Sequence, residues 1–430
     1  MLYGLLKVIM TIALRLFYRR VYVTGLENIA DKGPAIIMPN HNSSLMDAAL
    51  LGILIKRPLY FFARGDVFVN AFVERLLARF HMLPVHPHDG GRKTLGDNNA
   101  AFSRAEKILL DGGIIIFFPE GVSHTDKQLK PLRKGVFRLA FNTAAKRNFE
   151  MNIPLIPAGV TYSNPFCWRS EVMVHLGAPM QLADYVESFK SNASATLLQL
   201  SKVAYLDMEQ QVPNIKNAEW NALTNNAVEI VMNDFDYQTS SWRQATRNRL
   251  DKEKGVYGRI SLLDERSRRQ LETSVDKYRQ LLGQYGLEDA SLSKKFSFQF
   301  IDLLLLILSL LFFPAGYLLN AVPVFIAKRI AVTKVTRDDF FSWILVTTAT
   351  VTYLLWYLLI VVIGLCIWWP AGLALMLCMP LLGLVSLYCL KKFRDFNQYK
   401  KLRALPEATR EVIIKHRQEI LEVFSTTFHS

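Results

Sequence analysis

The chain has 430 residues, enough for one large domain or two ordinary ones, and 51% are hydrophobic, with a mean hydropathy of +0.17 that is high for a water-soluble protein. A formal charge of +14 points to nucleic acid, anionic lipid or a phosphorylated substrate; the cations crowd around apolar segments and no nucleic-acid-binding motif accompanies them, so lipid is the simpler expectation. Three of the four cysteines, Cys366, Cys378 and Cys389, fall in one apolar run and Cys167 stands alone, which argues against a disulfide framework and a CxxC metal site.

Residues 1–19, within "MLYGLLKVIMTIALRLFYRR", read as an amphipathic helix lying in a membrane interface. Gly4, Lys7, Thr11 and Arg15 share one helical stripe, while Leu5, Val8, Ile9, Ile12 and Leu16 face elsewhere. Lys7 and Arg15 interrupt the apolar run and no small-residue cleavage site follows, so a signal peptide is not expected. The alternative is a helix packed on its own domain.

Residues 20–184 alternate short apolar runs ("VYVTGL", "PAIIMPN", "LYFFAR", "GGIIIFFPEG", "IPLIPAGVTY", "EVMVHLG") with stretches of helical spacing. This pattern predicts an α/β domain, a largely buried sheet flanked by helices, with sites at strand ends. Residues 185–296 are charged and glutamine-rich, and predict a helical extension.

A membrane region spans 297–392. Residues 340–390 contain no Asp, Glu, Lys or Arg, and Trp368, Trp369, Pro370 and Gly372 near their middle predict two spans joined by a tight hairpin. The run 303–327 is long enough for a single span but is broken by Pro314, Gly316, Asn320 and Pro323. Lys328, Arg329, Lys334 and Arg337 follow it, and Lys391, Lys392 and Arg394 follow the hairpin. If both basic segments and the long preceding domain are cytoplasmic, 303–327 is re-entrant. Residues 393–430 then form a basic cytoplasmic C-terminal helix.

Within the α/β domain three groups of residues can carry chemistry. In "PNHNSSLMDAAL", His41 and Asp47 can meet only if His41 lies in a loop and Asp47 in the first turn of the helix that follows. A carboxylate on one ring nitrogen would make the other a base toward a hydroxyl. The structural alternative is a helix start, with Ser44 as cap and Asp47 closing a capping box. No GxSxG elbow is present, so the dyad is expected to activate a substrate alcohol directly. In "IIIFFPEGVSH", Glu120 sits in a turn at a strand end, where a carboxylate can accept hydrogen bonds from substrate hydroxyls. Arg64, Arg92, Lys93, Lys130, Arg133 and Lys134 lie on loops and together could bind a phosphate. "DGGRKT" lacks the spacing of a P-loop, and "HPHD" (His86, His88, Asp89) lacks that of a metal site; no metal or cofactor is expected.

In this order, these blocks resemble the glycerophospholipid acyltransferase superfamily, which includes glycerol-3-phosphate and lysophosphatidic acid acyltransferases. The matching residues are Asn40-His41 with Asp47, "FFARGDVF" with Arg64, "LPV" at Leu83 to Val85, Phe118 to Gly121, Lys134-Gly135 and "IPLIPAGV". The resemblance implies an acyltransferase-type sheet flanked by helices, His41 as the base, Asp47 as its orienter, and an acceptor held by Arg64, Arg92, Lys93, Glu120, Gly121, Ser123, His124 and Lys134. It also implies acyl-CoA or acyl carrier protein as donor and a phosphorylated glycerol as acceptor. Five residues, not the family's usual four, separate His41 from Asp47; His86-Pro87 stands where the family carries an arginine; and Val122, Ser123 and His124 replace its Thr-Arg. The longer spacing and the Glu-Gly-x-Ser-His form resemble the fungal type of glycerol-3-phosphate/dihydroxyacetone-phosphate acyltransferase. That implies acylation of the sn-1 hydroxyl. The alternatives are a lysophosphatidic acid acyltransferase and, from another class, a catalytically silent lipid-binding scaffold.

Overall fold

Strands of nearly unbroken apolar sequence need cover on both faces, and the centre of this molecule is built from them. The computed structural model describes residues 2–65, 70–85, 91–234, 241–293 and 296–425. The elements run α1 (Leu2–Phe17), β1 (Arg20–Thr24), β2 (Ala35–Pro39), α2 (Ser44–Leu54), β3 (Leu59–Arg64), α3 (Ala71–Arg79), β4 (Met82–Val85), α4 (Gly91–Leu110), β5 (Ile114–Ile116), α5 (Gly135–Ala145), β6 (Leu155–Tyr162) and β7 (Glu171–Leu176). Then come α6 (Val186–Ser191), α7 (Ala193–Glu209), α8 (Asn221–Met232), β8 (Arg243–Gln244), α9 (Asn248–Leu262), α10 (Glu265–Tyr285), α11 (Phe300–Lys334), α12 (Phe341–Ile367), α13 (Trp369–Ala404) and α14 (Glu407–Ser425).

The eight strands form one sheet in the order β4-β3-β5-β2-β6-β7-β1-β8. Strands β2 to β6 are parallel where they pair, Ile36 lying opposite Ile115 on one side and Leu155 on the other. Their carboxyl ends therefore share one edge of the sheet, which carries the loops after Pro39, Arg64, Val85, Ile116 and Tyr162. Strand β7 runs antiparallel to β6, and β1 and β8 run with β7.

Two compact units divide the chain. The first comprises Met1–Lys216, Ser240–Asp251 and Thr336–Trp343; the second comprises Asn217–Thr239, Lys252–Val335 and Ile344–Ser430. The expected boundary at 184 is too early. Leu197, Leu200, Ala204 and Met208 of α7 enter the same core as Phe137 and Phe141 of α5 and Leu155 of β6. The C-terminal residues are not a separate basic helix either. Helix α13 continues to Ala404, and Ile413, Ile420 and Phe424 of α14 pack with Val231 of α8 and Val275 and Tyr278 of α10.

Three of the described helices, α11, α12 and α13, are long and apolar enough to cross a membrane. Helix α11 is continuous through Pro314 and Pro323, not a dip and return. Pro323 has no N–H for the carbonyl of Leu319, and the Trp356 indole N–H donates to that oxygen instead, at 2.8 Å. Helix α1 turns Met10, Leu14 and Phe17 into the first unit and donates from Lys7 Nζ to the Ile55 carbonyl at 2.5 Å, while Leu5, Val8, Ile12 and Leu16 form an exposed apolar ridge. The helix thus packs on its own domain by one face and keeps an apolar face outward.

Away from the site edge, Glu171 gathers Arg19 at 2.5 Å, Arg249 at 2.5 Å and the Tyr22 hydroxyl at 3.2 Å. Burial alone would raise this carboxyl, but Arg249 and Arg19 outweigh it and hold it below the usual carboxylate range. On the same strand His175 is buried against Thr24 Oγ1 (2.8 Å), and burial, with Arg247 nearby, lowers it from 6.5 to about 3.

Both groups are depressed in the folded state, so each adds stability above its unfolded value that is lost as pH falls through its folded one. The melting temperature in detergent is therefore expected to fall as pH drops from 6.5 towards about 3, and a His175→Gln variant to fall less over the upper part of that range. Glu171→Ala, which removes a buried ion-pair partner of Arg249, is expected to cost about 3–5 kcal/mol at neutral pH in the same melting assay.

Candidate active site

The loop after β2 is fixed before it reaches any chemistry. Asn40 donates from Nδ2 to the Val160 carbonyl (3.0 Å) and accepts the Val160 N–H at Oδ1 (2.6 Å), clamping the end of β2 to β6. His41 follows, and between it and Asp47 the chain passes through Ser44, whose φ of +42° is unusual for a residue with a side chain. This left-handed step starts α2 and brings Asp47, in its first turn, under the imidazole.

Asp47 is fully buried and accepts from three sides: the Ser43 N–H at 2.9 Å, the Tyr162 hydroxyl at 2.6 Å and His41 Nδ1 at 2.9 Å. Burial and the charge of Asp47 push the Tyr162 hydroxyl well above its ordinary value, so it remains the donor. The expected Ser44 capping box is not formed: the N-cap is Ser43, without a side-chain cap bond, and Asp47 accepts its N–H while also holding the histidine. A carboxylate at Nδ1 places the ring proton there, so Nε2 carries the lone pair; it has no protein partner among the described residues. The imidazole stacks on Phe118 with centroids 3.9 Å apart and is 18% exposed, which leaves Nε2 an approach from solvent.

Glu120 departs from expectation. Its carboxylate is fully buried and bonds the His41 N–H (2.9 Å), the Lys130 N–H (3.0 Å) and His124 Nε2 (2.7 Å). It braces the backbone of the histidine loop. His124 closes the brace by donating its N–H to the His41 carbonyl at 3.0 Å. Gly121 has φ +73°, and a Cβ there would lie 2.7 Å from Arg133 Nε. Its N–H donates to the Phe118 carbonyl (3.1 Å) and is not free to stabilise an oxyanion.

The remaining expected binding residues are distributed along the same edge. Arg64 is the exposed last residue of β3, opposite Val85 of β4. Lys134 is half-buried immediately before α5. Arg92 and Lys93 lie in the first turn of α4, and their side chains, like the whole of His86, His88 and Asp89, fall outside the described residues. The Ser123 hydroxyl donates to the Asp339 carboxylate and accepts from Arg337 Nη2 at 3.3 Å. Sequence reasoning missed Tyr162, Arg337 and Asp339. The polar end of the "IPAGVTY" run was a faint sign of the first; nothing local marked the other two as site residues.

Residues 20–161 match the Acyltransferase family. An uncharacterized acyltransferase of Schizosaccharomyces pombe is 29% identical over 24% of this chain and 15% of its own length, and glycerol-3-phosphate O-acyltransferase 1 of Saccharomyces cerevisiae is 31% identical over 20% and 11%. The 1-acyl-sn-glycerol-3-phosphate acyltransferase of Bacillus subtilis is 24% identical over 38% of this chain and 76% of its own. The chain thus spans less than a fifth of the two yeast relatives. The crystal structure of a Thermotoga maritima 1-acyl-sn-glycerophosphate acyltransferase aligns over 47% of this chain and 79% of its own, with 20% identity and a TM-score of 0.34.

If Glu120 is a buried brace, Glu120→Ala is expected to destabilise the protein by about 1–3 kcal/mol or more, because it leaves two backbone N–H groups and a histidine without their acceptor. A thermal melt in detergent tests this; a solvated, substrate-facing carboxylate would leave the melting temperature unchanged.

Proposed function

We propose, from the match of residues 20–161 to the Acyltransferase family, that this protein is a glycerophospholipid-type acyltransferase that transfers a fatty acyl group from acyl-CoA or acyl carrier protein to the sn-1 hydroxyl of glycerol-3-phosphate, with dihydroxyacetone phosphate as a related acceptor. The observation that carries the proposal is the contact of His41 Nδ1 with the buried Asp47 carboxylate at 2.9 Å, which leaves Nε2 as a base at the open edge of the sheet. In this reading Nε2 takes the hydroxyl proton as the oxygen attacks the thioester carbonyl carbon. The tetrahedral centre then collapses, the C–S bond breaks, and the imidazolium returns the proton to the departing thiolate. Asp47 stabilises the imidazolium while it lasts. Arg64, Arg92, Lys93 and Lys134, on loops at or near the same strand ends, are the cations proposed to meet the acceptor phosphate.

Acylation of glycerol-3-phosphate is favoured by the five-residue His-Asp spacing and by similarity to the two Saccharomyces cerevisiae glycerol-3-phosphate O-acyltransferases, at 31% and 26% identity. A specific observation supports a second reading, acylation of 1-acylglycerol-3-phosphate: the matched stretch covers 76% of the Bacillus subtilis enzyme but only 11% of the first yeast enzyme. The intact dyad weighs against a silent scaffold. Three long apolar helices support a membrane setting. A cytoplasmic site is supported by Thr336–Trp343, which belongs to the site's own unit, contains Arg337 and follows Lys328, Arg329 and Lys334 in the chain.

Purified protein given labelled acyl-CoA is expected to acylate glycerol-3-phosphate faster than 1-acylglycerol-3-phosphate, and His41→Ala to lower kcat by about 10²–10⁴. Product from 1-acylglycerol-3-phosphate alone would move the assignment to the second step. An undiminished rate in His41→Ala would revive the scaffold reading.

A further inference from the structure

The last segment of the first unit, Thr336–Trp343, comes from far along the chain and lies on the site. Its 3-10 turn, Asp338–Phe340, is held at both flanks of the histidine loop. Ser43, two residues beyond His41, donates its hydroxyl to the Asp339 carbonyl (3.4 Å), and Ser123, two residues beyond Gly121, donates to the Asp339 carboxylate. Ser342 anchors the far end on the Pro165 carbonyl, and Phe341 meets Phe166 edge-on with centroids 6.2 Å apart. The Asp339 side chain is 6% exposed, so its charge is turned into the protein.

Arg337 is oriented by that buried carboxylate. Nε lies 3.1 Å from Oδ1 and Nη2 2.8 Å from Oδ2, so one edge of the guanidinium is fixed as a fork. Nη2 also reaches Ser123 Oγ at 3.3 Å, and the guanidinium carbon lies 5.0 Å from the Phe340 ring centroid. Nη1 has no partner among the described residues, and the side chain is 45% exposed. An arginine so placed has its orientation set by the Nε/Nη2 edge, while the two N–H groups of Nη1 stay available as charged donors to a phosphate oxygen.

We infer that Arg337 binds the phosphate of the acceptor, and so sets specificity for phosphorylated over unphosphorylated alcohols. The inference rests on the acyl-transfer reading for the identity of the ligand as a phosphomonoester. It deepens that reading by assigning a phosphate ligand outside residues 20–161, the stretch matched by the family. His86 and Pro87 stand where the resemblance leads one to expect an arginine, and Arg337 supplies the missing cation from a distant part of the chain. Asp339 is a positioning residue: it holds the guanidinium without facing the ligand.

The test uses full-length protein in detergent and two readouts. Equilibrium binding of labelled glycerol-3-phosphate, without acyl donor, is compared in the wild type, Arg337→Ala, Arg337→Lys and Asp339→Asn. Acyl-transfer kinetics follow on the same preparations, after thermal melts confirm that they are folded. Arg337→Ala is expected to weaken binding and raise the acceptor KM at least tenfold, leave the acyl-donor KM unchanged and lower kcat less than threefold. Arg337→Lys, which keeps the charge but not the fork, is expected to recover part of the loss, and Asp339→Asn to lose affinity to a smaller degree. Equal affinity and equal acceptor KM in the wild type and a folded Arg337→Lys and Arg337→Ala would overturn the assignment and leave the acyl-transfer reading intact. Binding that depends on Arg337 in a protein that acylates no acceptor would support the site and overturn the reading.

Discussion

A carboxylate with no access to water must have its charge answered by the protein, and Asp47 is such a group. Its donors come from three places: the Ser43 N–H at the start of α2, the Tyr162 hydroxyl at the end of β6, and His41 Nδ1 in the loop after β2. Satisfying that one buried charge ties a helix, a strand and a loop together, with the imidazole among them. Glu120 repeats the principle, holding the His41 N–H, the Lys130 N–H and His124. Two buried carboxylates therefore fix one half-open histidine. The sheet makes this arrangement possible by placing β2 between β5 and β6, all three parallel, so that the three carboxyl ends meet.

The same constraint shapes the proposed chemistry. A histidine whose Nδ1 is held by a buried carboxylate, whose ring stacks on Phe118 and whose backbone is braced by Glu120 has one free function, proton transfer at Nε2. Neither nearby serine is set as a nucleophile. The Ser43 hydroxyl is turned to the Asp339 carbonyl, and Ser44 is buried at the start of the helix. That arrangement suits direct attack by an acceptor hydroxyl and not an acyl-serine intermediate. The absence of charge from 340–390 and the exposed apolar ridge of α1 fit a reaction whose donor chain and product are lipids.

Much of this was legible in the sequence where the controlling interactions are local. Apolar runs such as "PAIIMP" and "GGIIIFF" marked buried strands, and the six-residue step from His41 to Asp47 allowed only a loop-then-helix arrangement, which the chain achieves with a positive φ at Ser44. What was not legible depends on distance. Tyr162 meets Asp47 across 115 positions and Asp339 meets Ser43 across 296, and no short pattern encodes either contact. Glu120 looked like a substrate ligand because "PEG" reads the same whether the glutamate points outward or inward. Helix α7 looked like part of a free extension because a helix with one buried face has the same periodicity whichever core it enters. The prolines of α11 suggested a break because the indole that answers the Leu319 carbonyl is 37 positions away.

The central claim is that His41 and Asp47 act as one catalytic unit, and a double-mutant cycle on kcat/KM for acyl transfer to glycerol-3-phosphate tests it most directly. If the carboxylate works only through the imidazole, His41→Ala and the double variant His41→Ala/Asp47→Asn have rates within about twofold of each other, although Asp47→Asn alone is severely slowed. If instead the double variant falls by the product of the two single losses, the residues contribute independently, and the dyad as described is wrong.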